Sequence, residues 1–184
     1  QTLANFAYMG GFLLAPQVLE EILRYDNSKI SLVVIARPLT FAVIAPLASL
    51  ITIRIGERAM GIAGSLCVVA SMLSFAVVGP GTGLMLMLFA LGMSGAGIGM
   101  ASPAMTSLVA NAVNEDDLGV AGAMQQLMTQ MGAVFGSVVM VTVQQGVGGG
   151  DPTPASYQAA FYVAAGVACA AVFTASRVRS TPRT

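Results

Sequence analysis

Charge is what this sequence has least of. Only 9% of its 184 residues are Asp, Glu, Lys or Arg, while 56% are hydrophobic. An ordinary soluble domain carries about 25% charged residues. Mean hydropathy is +0.81. From Ala59 to Asn114 the chain runs 56 residues without a charged side chain, roughly twice what one helix needs to cross a bilayer, about 20 apolar residues. There is no His, which excludes imidazole acid–base chemistry and His metal sites. The eight basic and eight acidic residues cancel, so no basic face points to nucleic acid. Cys67 and Cys169 both fall inside apolar runs and read as small buried hydrophobes rather than a disulfide or metal pair. No nucleophile, base and orienting group cluster together, so the reading is not an enzyme, with no metal and no cofactor. There is no initiator Met, basic n-region or small-residue cleavage site, hence no signal peptide. Gln1 already lies in an apolar stretch that continues to Leu19, and the expectation is a piece of a longer chain.

What is present divides into apolar spans separated by charges and breakers, at about 2–23, 31–53, 60–78, 83–110, 118–143 and 156–175. Gly79-Pro80-Gly81-Thr82-Gly83 breaks the long uncharged run into two helices. Apolar residues are continuous rather than alternating, which argues against a barrel. The expected fold is therefore all-α integral membrane, a single bundle of six transmembrane helices over 1–184. Lys and Arg counted loop by loop set its orientation. Arg54, Arg58, Arg177, Arg179 and Arg183 fall on one side and Arg24 and Lys29 on the other, which predicts cytoplasmic termini. Glu115, Asp116 and Asp117 precede the fifth span and are expected to cap its free N–H groups and face its positive end.

Polar and small residues inside the spans mark the candidate sites. Arg37 lies within the second span, followed by Pro38 and later Pro46, which suggest a bent helix. Such a charge either faces a cavity or partner or snorkels to the interface. Gln126 and Gln130 are one turn apart on the fifth span, beside Gln125 and Thr129; they either bond neighbouring helices or line a polar path. Asn5, Tyr8 and Met9 share a face of the first span, and Met93 is one of several Met residues offering soft apolar surface. Gly95 and Gly99, and Gly132 and Gly136, are four apart; small residues at this spacing let helices approach closely. No Asp or Glu lies deep in any span, so a proton-coupling carboxylate, if one is used, is not on this chain.

The segment Pro46 to Gly64 resembles the cytoplasmic loop motif of the major facilitator superfamily, Gly-x-Leu-Ala-Asp-Arg-x-Gly-Arg-Arg. Arg54, Gly56 and Arg58 match it; Ser49, Thr52, Ile53 and Glu57 depart from it. Leu91 to Pro103 and Gly119 to Gly136 look like the corresponding helices of the 14-helix drug:proton antiporters. The resemblance implies the C-terminal six-helix half of a transporter whose N-terminal half is missing here. Its first and fourth helices would line the cavity, and its second and fifth would pack on the other half. The implied function is proton-driven export of small amphipathic compounds by alternating access, in the plasma (inner) membrane of a bacterium. The alternative is a self-contained six-helix channel or scaffold acting as a homodimer.

Overall fold

A computed structural model describes residues 2–177; Arg179 and Arg183, two of the five arginines that set the expected orientation, lie outside the described residues. Within these, seven α-helices succeed one another: α1 Thr2–Gln17, α2 Asn27–Val34, α3 Ala36–Ile55, α4 Glu57–Ala76, α5 Leu84–Asn111, α6 Leu118–Gly148 and α7 Pro154–Arg177. Among the described residues there is no strand. Five helical runs are long and apolar enough to cross a membrane: Asn27–Ile55, Glu57–Ala76, Leu84–Asn111, Glu115–Gly148 and Pro154–Arg177. The first helix, α1, is 16 residues long and continues into a π-helical turn, Val18–Ile22. By length and apolarity these runs are those of a multi-pass membrane protein.

Local chemistry explains the boundaries. Pro16 lies near the end of α1, and the turn after it is widened, with Leu23 N donating to Val18 O at 3.2 Å. Asp26 caps α2 by accepting from Ser28 N. Only Ile35 separates α2 from α3. Pro38 three residues later has no N–H for the Val34 carbonyl, and that is where the run is interrupted. Gly56 alone joins α3 to α4, at φ 89°, a left-handed value that glycine adopts without strain. Glu115–Asp117 form a 3-10 turn before α6, and Asp117 at the N-cap makes no side-chain capping bond. That differs from the capping expected of the acidic cluster. Asp117 has near-helical dihedrals (φ −96°, ψ −4°), not the extended backbone that aims a carboxylate at the free N–H groups.

The helices pack in a pattern that mirrors itself. α5 sits between α3 and α4, α1 packs on α6 and α7, and α4 meets α7. Backbones touch where glycine removes the side chain. A Cβ on Gly64 would lie 2.5 Å from Gly97 O, and one on Gly97 2.8 Å from Gly64 O, so α4 and α5 cross with no room for a methyl group. Gly95 faces the Arg37 carbonyl and Gly99 faces Ile44 and Ala45 on α3. Gly132 faces the Thr2 carbonyl and Gly136 the Phe6 carbonyl on α1. By contrast, Gly122 faces open space. Phe75 and Phe161 stack at 4.9 Å where α4 meets α7.

Candidate functional site

One end of the bundle gathers the start of α4 and the ends of α5 and α7. Glu57 accepts from Ser107 Oγ at 3.3 Å and Asn111 Nδ2 at 3.4 Å, and Arg58 Nη2 donates to Ser176 O. In the half of the bundle nearer this end lies a cavity of about 310 Å³ among α1, α4, α5, α6 and α7, at the lower end of ligand-pocket sizes. Its polar lining comprises Asn5, Ser65, Ser102, Thr106, Gln125, Gln126, Thr129 and Thr174; no lining residue carries a charge. Gln125 Nε2 donates to Thr106 Oγ1 at 3.0 Å, tying α6 to α5. Thr129 Oγ1 donates to Gln125 O at 2.9 Å and Ser65 Oγ to Gly61 O at 2.8 Å. These back-bonds satisfy the hydroxyl donors within their own helices and leave oxygen lone pairs facing the cavity. The arrangement can receive a neutral group that both donates and accepts hydrogen bonds.

Of the residues singled out in the sequence, Asn5 and Gln126 line this cavity. Gln130 is exposed one turn further along α6, and neither it nor Met9 nor Met93, both half-buried, is among the lining residues. Gln125 and Thr129 take the inward positions instead. The signal for this was in the glycines: 125, 129, 132 and 136 follow one 4-3-4 helical stripe, and Gly132 and Gly136 fix that stripe against α1.

Arg37 does not line the cavity, and it does not snorkel outward. It is 2% exposed. Its Nη2 donates to Tyr8 O at 2.6 Å. The guanidinium carbon stands 3.9 Å from the Tyr8 ring centroid and 5.1 Å from that of Phe12. Its Nε has no hydrogen-bond partner among the described residues. Tyr8 and Arg37, both predicted as site residues, are thus brought together, deeper in the bundle than Asn5.

In the loop motif, Ser49 and Arg54 are exposed, Gly56 makes the turn and Arg58 reaches α7. Glu57, where the motif has Arg, is buried. Its position as the first residue after a turn glycine gave no hint of that. Cys67 and Cys169 are free thiols, half-buried on α4 and exposed on α7.

The chain matches the Major Facilitator Superfamily over residues 2–184. It is also similar to Multidrug resistance protein Stp of Mycobacterium tuberculosis (strain CDC 1551 / Oshkosh), with 27% identity over 138 residues. The protein of the same name from strain ATCC 25618 / H37Rv is similar to the same degree. The similarity covers 75% of this chain and 26% of the relative, so this chain spans well under half the length of the curated relatives it matches.

Proposed function

This chain belongs to the major facilitator superfamily, a family of membrane transporters, and on that premise we propose that it is the C-terminal six-helix half of a proton-coupled exporter of small amphipathic compounds. The observation that carries the reading is the uncharged polar cavity bounded by α1 and α5, the first and fourth spans, near one end of the bundle. A transporter site needs groups that bind in passing and release, and hydroxyls and carboxamides do this without locking a ligand by charge. The name of the similar mycobacterial protein, a multidrug resistance protein, supports a drug-like cargo.

In this reading the run Thr2–Ile22 is the first of six crossings, both termini are cytoplasmic, and the membrane is the bacterial inner one. The family branch is that of the 14-helix antiporters. The other half of the transporter packs on α3 and α6. The most apolar stretches of their runs, Asn27–Ile55 and Glu115–Gly148, are the least covered, 11% and 17% buried against 39–50% for α4, α5 and α7. Alternating access follows from rocking the two halves about the cavity. The proton gradient supplies the energy, with coupling carboxylates on the other half: of the acidic residues described here only Glu57 is buried, and it sits at a helix start.

The test is accumulation of a fluorescent amphipathic dye in cells producing the full-length protein. Export is expected to collapse when an uncoupler dissipates the proton gradient. Thr106→Val with Gln125→Leu, which removes the polar bridge across the cavity, is expected to lower the initial rate several-fold at equal membrane expression, the net effect of one solvent-accessible hydrogen bond. Dye efflux indifferent to both treatments would contradict the reading.

A further inference from the structure

The bundle interior is electrostatically lopsided, and the inference drawn from this rests on the transport reading and deepens it. Two charged residues are buried among those described, Arg37 and Glu57. Glu57 is held at the bundle end by Ser107 and Asn111. Arg37 is held by neutral groups, the Tyr8 carbonyl and the Tyr8 and Phe12 rings. None of these cancels its charge, and its Nε is left without a partner among the described residues. Tyr8 is three residues beyond the cavity-lining Asn5 on α1, about 4.5 Å of helix rise. A positive charge held only by neutral groups therefore stands just beyond the cavity, inside a low-dielectric bundle where its field is weakly screened.

We propose that this half of the transporter selects against cations: it accepts uncharged, hydrogen-bonding amphiphiles, and Arg37 is the specificity residue that turns permanent cations away. Three features act in the same direction. The cavity lining offers carboxamides and hydroxyls, which solvate neutral polar groups, but no carboxylate to offset the desolvation of a cation. The Tyr8 ring face, of the kind best suited to receive a lipophilic cation, is already occupied by the guanidinium, which also stands 5.1 Å from the half-exposed Phe12 ring. The charge of Arg37 itself repels a second positive charge. Arg37 does not touch the cargo in this scheme; it acts through its field.

The experiment uses the full-length protein in nanodiscs and a matched pair of fluorescent probes. One is a dansyl carboxamide; the other is the same fluorophore carrying a quaternary ammonium. Wild-type protein is expected to bind the neutral probe roughly tenfold more tightly than the cation, and Arg37→Gln to narrow that ratio several-fold, while Arg37→Lys keeps it. A purely packing role for Arg37 would not separate Lys from Gln in this way. Gln126→Glu, at an exposed position of the cavity wall where folding is not at stake, is expected to shift the ratio toward the cation. Equal wild-type affinity for both probes, or a ratio that Arg37→Gln leaves unchanged, overturns the proposal. The same probes are then followed for gradient-driven flux in proteoliposomes. A retained binding preference without flux contradicts the exporter reading and leaves the charge selection standing. Flux with indiscriminate binding does the reverse.

Discussion

Arg37 lies about 15 Å along the helical run that begins at Asn27, near the middle of a hydrocarbon layer about 30 Å thick. Charge and packing make separable contributions there. Arg37→Met keeps most of the volume and removes an uncompensated charge, and replacing a poorly paired buried charge by an apolar group is often neutral or stabilising. Thermal unfolding of the purified full-length protein should therefore be unchanged or shifted upward in Arg37→Met. Arg37→Ala, which also opens a cavity, should be destabilised by about 2–4 kcal/mol relative to Arg37→Met. Equal loss in both variants would show that the charge itself holds α1 to α3. The glycines set a second prediction at this scale. Gly64→Leu forces a side chain onto the Gly97 carbonyl and should lower the yield of folded full-length protein, by roughly 1–3 kcal/mol of overpacking or more. Gly166→Leu on α7, in open space and away from α3 and α6, should be silent; the check is monodispersity in detergent. Such positions are partly legible in sequence. Four-residue spacing marks Gly95, Gly99, Gly132 and Gly136, and through the last two the inward side of Gln125, but it does not mark the partner pair Gly64–Gly97, because contacts across helices have no local signature.

Helices are more legible than their ends or their clamps. Charge-free runs broken by Gly79-Pro80 and by Asn114–Asp117 place α4, α5 and α6 to within a few residues, because in an apolar solvent backbone groups must be satisfied within the helix. The interruption at Ile35 follows from Pro38. The buried carboxylate of Glu57 does not follow from anything nearby in sequence; it depends on Ser107 and Asn111, some fifty residues away. That clamp fixes the start of α4 to the end of α5, next to Thr106 in the cavity wall. Glu57→Ala is expected to loosen this junction at a cost of about 1 kcal/mol, because Ser107 is half-buried and Asn111 is exposed. Glu57→Gln retains an acceptor and should lose less. Hydrogen exchange over residues 103–111 measures it: faster exchange in Glu57→Ala than in Glu57→Gln is the expected order, and no change in either would show that the clamp is not what holds this end.

Across the whole molecule, topology follows from the number of crossings and the side on which the basic residues fall. With six crossings, cysteines introduced at Gly81 and Asn114 in a Cys67→Ser, Cys169→Ser background of the full-length protein should react with an impermeant maleimide from opposite faces of the membrane. Reaction from the same face would defeat the six-span arrangement. In the transport reading the cavity walled by Asn5, Gln125 and Gln126 is the path of the cargo. Gln126→Cys in the same background, with any cysteine of the other half also replaced, in vesicles energised by a proton gradient, tests this. Maleimide labelling at position 126 is expected to fall when a transported neutral amphiphile is added, and to depend on whether the gradient is present, as the cavity is exposed first to one side and then to the other. Labelling that ignores both cargo and gradient would contradict the claim.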